Sequence, residues 1–225
     1  MVHLKLITII NLIVCICATI GFIMGVHAYF KPHQPLYAQM TTIALGCASL
    51  GRLYNVAVIA CDGSIPHTFN IGILAVVGCF LFFFSANHNQ IDSLCDMTNP
   101  KNAKFRYIGL IAPAIQAIIA GIVFVASDGK LILRISYMIE FLSVMLASYY
   151  NCKHLLIHDI DSGFIDSVRG YNLMVLVLGF LYTAEITCDA FEVIIPKSFI
   201  YLFMSVCLLM IIPILKKGVK KWTTI

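Results

Sequence analysis

Seven apolar runs, at Leu4–Tyr29, Tyr37–Ala60, Phe69–Ala86, Phe105–Ala126, Leu131–Tyr150, Tyr171–Glu192 and Phe199–Leu215, each come close to the length a helix needs to cross a bilayer. A hydrocarbon core about 30 Å thick takes roughly 20 residues in a helix, and backbone polar groups inside it must be satisfied within the segment itself. Continuous apolar runs of this length, without the alternation of a barrel strand, are therefore read as helices. With 60% hydrophobic and 12% charged residues over 225 positions, little chain is left for an extramembrane domain. The expected fold is all-α: one polytopic membrane bundle of seven transmembrane helices over residues 1–225. The first run could pass for a signal peptide, but its apolar core exceeds the usual ~7–15 residues and no A-x-A-like site follows, so it counts as a span.

The connections are marked by turn chemistry. Pro32 and Pro35 break the chain after the first span, Asp62–Pro66 after the second, Asn99–Pro100 before the fourth and Ser127–Lys130 after it. Cys152–Arg169 is the longest polar connection, and Pro196 is expected to separate the sixth span from the seventh. Within the fourth span Ala117 and Gly121 form a small-xxx-small pair suited to close helix packing. The nine cysteines show no metal-ligand spacing, and those inside spans read as small packing residues. Cys61 and Cys188 fall near one membrane face, where a disulfide is the single pairing the pattern would allow. His158–Asp166 shares part of the spacing of a calcium loop, but the third acidic position and the terminal Glu are absent, so it reads as an ordinary loop.

Orientation follows from the basic residues. Placing the carboxy terminus in the cytoplasm puts Lys31, Lys101, Lys104, Arg106, Lys153, Arg169, Lys216, Lys217, Lys220 and Lys221 on the cytoplasmic side, against Lys5, Lys130 and Lys197 opposite. Ten against three predicts amino terminus out and carboxy terminus in, by the positive-inside rule. The expected location is the cell membrane. The basic tail suits anionic lipid or a protein partner, and no nucleic-acid partner, cofactor or metal is expected.

The sixth span carries a chemical contradiction. Tyr182, Glu185 and Asp189 stand at i, i+3 and i+7 and so share one face of a helix that must otherwise meet lipid. A carboxylate there costs roughly 2.5–3.5 kcal/mol and normally faces a bundle interior or watery cavity with a partner. Arg52 in the second span, about 22 Å along it at 1.5 Å per residue, and Arg134 and Glu140 in the fifth reach the same outer half. The expected site is a network of Arg52 and Arg134 with Glu140, Glu185 and Asp189, to which Asn55 and Tyr182 add hydrogen bonds. Its extra carboxylate suits a cationic ligand or a carried proton. If water reaches this site, replacing Glu185 by Gln should cost little stability. A second polar group, Asn87–Gln90 with Asp92, Tyr149–Asn151, Tyr171 and Asn172, lies near the cytoplasmic ends and reads as residues meeting headgroups.

Retinal proteins share the seven-helix form but need a lysine in the last helix, and Phe199–Ile212 contains none. Small size and intramembrane carboxylates are also features of lysoplasmalogenase-type membrane hydrolases; no motif here matches theirs residue by residue, so no family is assigned. The leading expectation is binding or sensing of a small ligand in the outer half of the bundle. The alternatives are a small-solute or proton-coupled transporter, and an intramembrane lipid hydrolase in which Glu185 and Asp189 activate water. HExxH and GxSxG are absent, as is any internal repeat.

Overall fold

The computed structural model describes residues 2–63, 69–91, 100–127, 129–157 and 164–223. All regular structure among them is helical: α1 (Val2–Tyr29), α2 (Leu36–Asp62), α3 (Ile71–Ser85, continued by a π-helical turn Ala86–Ile91), α4 (Pro100–Ile108), α5 (Ile111–Ala126), α6 (Leu131–Leu156), α7 (Phe164–Ala190) and α8 (Ile194–Thr223). Seven stretches are long and apolar enough to cross a membrane, α4 and α5 together supplying the fourth, and this makes the chain an integral multi-pass membrane protein. The ends of the runs are less accurate than their number. α6 continues six residues past Tyr150, α7 starts seven before Tyr171, and α8 runs on through Lys216 and Lys217, because a helix does not stop where the hydrocarbon does. Most of the His158–Asp166 segment, Asp92–Asn99, and Ser64–Thr68 of the second connection lie outside the described residues.

Six helices close a ring in the order α1, α2, α3, α6, α7, α8, with α8 returning to α1; α5 lies outside it, against α6 and α7. Small residues set the close crossings. A Cβ on Gly51 would come 2.6 Å from the Cβ of Ala75, and one on Gly179 would meet Ser148 Oγ at 2.8 Å, so α2 touches α3 and α6 touches α7 nearly backbone to backbone. The pair expected to do this, Ala117 and Gly121, does not: both are exposed on α5, and nothing lies within 4 Å of a Cβ on Gly121. Both point away from α6, the helix that buries Gln116, Ala120 and Val123 of α5.

Prolines sit where their missing N–H does least harm. α4 ends at Gly109–Leu110, and Pro113 falls in the first turn of α5. Pro196 likewise lies in the first turn of α8; the break expected there occurs earlier, at Phe191–Val193, where Glu192 adopts a positive φ of 54° and Val193 N–H donates to Cys188 O at 2.9 Å. Gly63 closes α2 at φ 77°, its N–H donating to Ile59 O at 3.0 Å, the left-handed cap that glycine adopts without strain.

Inside the ring, Phe80, Phe83, Tyr171, Leu178, Met204 and Leu208 are fully buried, while Phe141 is buried in a second cluster with Ala120 and Val123 of α5. Of the aromatic block Phe80–Phe84, Phe80 and Phe83 enter this core while Leu81 faces outward.

Candidate functional site

Toward the end of the bundle formed by Gly63, Asn70 and the α7–α8 turn, the apolar core gives way to a cavity of about 440 Å³ lined by α2, α3, α6, α7 and α8. Its depth follows from the helices: the lining residues Arg52, Val76, Tyr182 and Tyr201 are succeeded, moving away from that end, by fully buried Ala48's neighbours Ala44 and Leu45, by Phe80 and Phe83, by Leu178 and by Met204. The cavity therefore has an apolar floor in mid-bundle. Its rim includes Glu192 and Val193, both exposed.

Arg52, 2% exposed, extends across the ring to Glu185: Nη1 donates to Oε1 at 2.6 Å and Nη2 to Oε2 at 2.5 Å. This fork matches the planar carboxylate on both sides at once, the strongest geometry for such a pair. The guanidinium carbon lies 4.8 Å from the centroid of the Tyr201 ring and 5.3 Å from that of Tyr182, and Nη1 also reaches Asn11 Oδ1 at 3.5 Å. Its charge is thus met by one carboxylate, two ring faces and an amide, as a desolvated arginine requires. Asp189, one turn further along α7, pairs with Lys197 of α8, whose Nζ also lies 5.4 Å from the Tyr201 centroid. The tight turn at Phe191–Val193 brings Lys197 back beside Asp189.

Glu140 differs from both. It is 7% exposed and lines the cavity, yet among the described residues its carboxylate forms no hydrogen bond or ion pair; Ser143 Oγ donates instead to its backbone carbonyl, at 2.8 Å. Two further lining groups are buried without a hydrogen-bond partner among the described residues, the Tyr182 hydroxyl and Asn55 Oδ1. The Tyr182 ring is fixed edge-on against Phe80, centroids 5.0 Å apart. Asn55 stands one turn beyond Arg52 on α2 and occupies the space that a side chain at Gly72 would need.

Six of the seven expected residues, Arg52, Asn55, Glu140, Tyr182, Glu185 and Asp189, line this one cavity. Arg134 does not. Its Nε donates to Gly129 O at 2.9 Å and its Nη1 to Phe124 O at 3.2 Å, which ties the α5–α6 connection. The reason is angular: Arg134 and Glu140 are six residues apart on α6, about 600° of rotation, so they cannot share a face even at similar depth. Lys197 takes the place expected of Arg134. By sequence it falls in the loop between spans, and the signal that could have found it is its spacing across a short turn from Asp189. Tyr137 and Tyr201, also lining, carried only the signal of an aromatic at helical spacing. Asn11, the one strongly polar residue inside the first span, was the visible hint of a partner for Arg52.

At the opposite end, the polar group expected to meet headgroups is in part core. Asn87, Asn151, His154 and Asn172 are fully buried. Asn87 Nδ2 donates to Phe83 O and to Asn151 Oδ1, both at 3.2 Å, and its Oδ1 lies 3.0 Å from His154 Nδ1. Tyr171 is fully buried as well and accepts from Thr41 Oγ1 at 3.0 Å. The side chains of Asn89 and Gln90, and the whole of Asp92, lie outside the described residues. Cys61 and Cys188 are both free thiols.

Compared with models of known protein families, with curated protein sequences and with solved structures, the chain matches none. Any functional reading therefore rests on the cavity itself.

Proposed function

We propose that this membrane protein binds or senses a small ligand in the cavity between α2, α3, α6, α7 and α8, through Arg52, Asn55, Glu140, Tyr182, Glu185 and Asp189. The observation that carries the reading is Glu140, a nine-tenths buried carboxylate that lines a cavity of about 440 Å³ and has, among the described residues, no ion-pair partner of its own. A purely structural network has no use for such a group, because an unpaired charge in a membrane interior is costly. The volume lies within the ~300–1,000 Å³ of small-molecule sites, and a few polar groups converge within apolar walls.

The floor of Phe80, Phe83, Leu178 and Met204 favours binding over transport, since these fully buried side chains fill the ring below the cavity in this conformation. Hydrolysis by Glu185 and Asp189 is disfavoured because each is ion-paired, with Arg52 and Lys197, and a neighbouring cation makes a carboxylate a weaker general base. We place the cavity mouth outside the cell membrane and the basic end of α8, with Lys216 and Lys217 exposed, at the cytoplasmic surface, where it suits anionic lipid or a protein partner.

Cys188, a free thiol of the cavity lining, offers a test. In sealed vesicles carrying Cys61→Ser, a membrane-impermeant maleimide should modify Cys188 from the α7–α8 side only, with the modified peptide identified by mass. Modification from both sides would support transport instead. Modification from neither would remove the water-accessible cavity on which the reading rests.

A further inference from the structure

The charges that face the cavity do not balance. Arg52 is held by both oxygens of Glu185 and Lys197 by Asp189, so that among the described residues Glu140 is left as a buried carboxylate with no ion pair of its own. A lone carboxylate in so dry a place is neutralised by a proton or by something that arrives with a positive charge. The walls indicate what kind of cation would fit. Tyr137, one turn before Glu140 on the same face of α6, lines the cavity with Ile186 of α7, and the space far exceeds that of a bare ion. Among the described residues, no three His, Cys, Asp or Glu side chains come together as a metal-ion cage would need. An anion would meet the opposite problem: both cations already have carboxylate partners, and Glu140 would repel it.

We infer that the cavity takes a small organic cation of the alkylammonium class, with Glu140 as its counter-ion. The ammonium group lies against the Glu140 carboxylate and the Tyr137 ring, an arrangement that gains from both Coulomb attraction and the negative face of the aromatic. The hydrocarbon part lies against Ile186. The Tyr182 hydroxyl, buried in the lining beside Arg52 and without a geometrically formed hydrogen bond among the described residues, is within reach of any polar substituent the cation carries. This deepens the reading that the cavity binds a ligand and rests on it.

The test uses the purified full chain in detergent and follows thermal unfolding and the rate of Cys188 modification in the Cys61→Ser background. The probes are choline chloride and propylammonium chloride, against sodium propionate, propanol and potassium chloride, with the salts at equal ionic strength in the millimolar range. Both ammonium probes should raise the melting temperature and slow the modification of Cys188, while the other three leave both unchanged. Glu140→Gln should abolish the effect, and Ile186→Trp, which fills the cavity without touching a charge, should abolish it as well and serves alone if Glu140→Gln does not fold. Stabilisation by propionate, or undiminished stabilisation of Glu140→Gln by choline, would overturn the cation assignment while leaving a binding cavity. If none of the five probes acts and Cys188 also fails to react, the cavity is not accessible and the binding reading falls with the inference.

Discussion

Glu140 and Glu185 line the same cavity and are equally buried at 7% exposure, yet they predict opposite responses to the same substitution. Glu185→Gln leaves the Arg52 guanidinium buried without its carboxylate, so stability should fall by ~3–5 kcal/mol, read as a large drop in melting temperature in one detergent. The expectation of a small loss rests on water screening the charge that remains; Arg52, 2% exposed and gripped by both carboxylate oxygens, argues for the larger loss. Glu140→Gln removes a charge that has no ion pair of its own among the described residues, and in the ligand-free protein its melting temperature should be unchanged or higher. A fall in both variants alike would mean that Glu140 belongs to the structural network. That Arg52 meets one of Glu140, Glu185 and Asp189 was legible because these charges sit inside apolar runs and fall at one depth; which of the three it meets was not, since depth does not distinguish them. Arg134 shows what depth alone misses, since rotation about α6 turns it toward the carbonyls of Gly129 and Phe124. Lys197 escaped for the reverse reason, because a base counted with a loop can fold back along a helix and enter the bundle.

Helices as elements were legible in number and order, since twenty consecutive apolar residues admit few alternatives, but their contacts were not. Ala117 and Gly121 have the spacing of a packing motif and face outward, whereas Gly51, with no small partner of that kind four residues away, and Gly179, which has Thr183 there, both make close crossings. Spacing marks a face that could pack; which faces meet depends on the positions of all the other helices. This contrast is testable by adding one methyl group. Gly51→Ala places a Cβ 2.6 Å from that of Ala75, forces α2 from α3 beside Arg52 and should destabilise by about 1–3 kcal/mol. Gly121→Ala meets nothing within 4 Å and replaces a poor helix former, so it should be neutral or stabilise by about 0.5–1 kcal/mol. Unfolding temperatures of the two variants side by side decide it; equal effects would mean that the α2–α3 crossing is looser than described. The π-helical turn at Ala86–Ile91 was equally hidden. Its sequence, Ala-Asn-His-Asn-Gln-Ile, looks like a polar helix exit, and only the position of α6 explains why Asn87 points inward to Asn151 and His154.

For the whole molecule, an odd number of spans puts the two termini on opposite faces, and the basic residues predict which face is which. Lys31, Lys104, Arg106, Lys216 and Lys217 are exposed at the end of the bundle away from the cavity. At the cavity end Lys130 is exposed, while Lys197 is half-buried and bound to Asp189. The pairing of Lys197 therefore sharpens the asymmetry: one of the three bases opposing the predicted orientation has its charge met within the bundle. We expect the cavity to open outward and the α8 end to lie in the cytoplasm. Glu192→Cys at the rim and Lys217→Cys at the end of α8 are both exposed positions outside the site chemistry. In intact cells an impermeant maleimide should modify the first and reach the second only after permeabilisation. Modification of both from one side would be incompatible with seven spans. The reverse order would keep the fold but turn the cavity toward the cytoplasm, and the ligand would then be drawn from inside the cell.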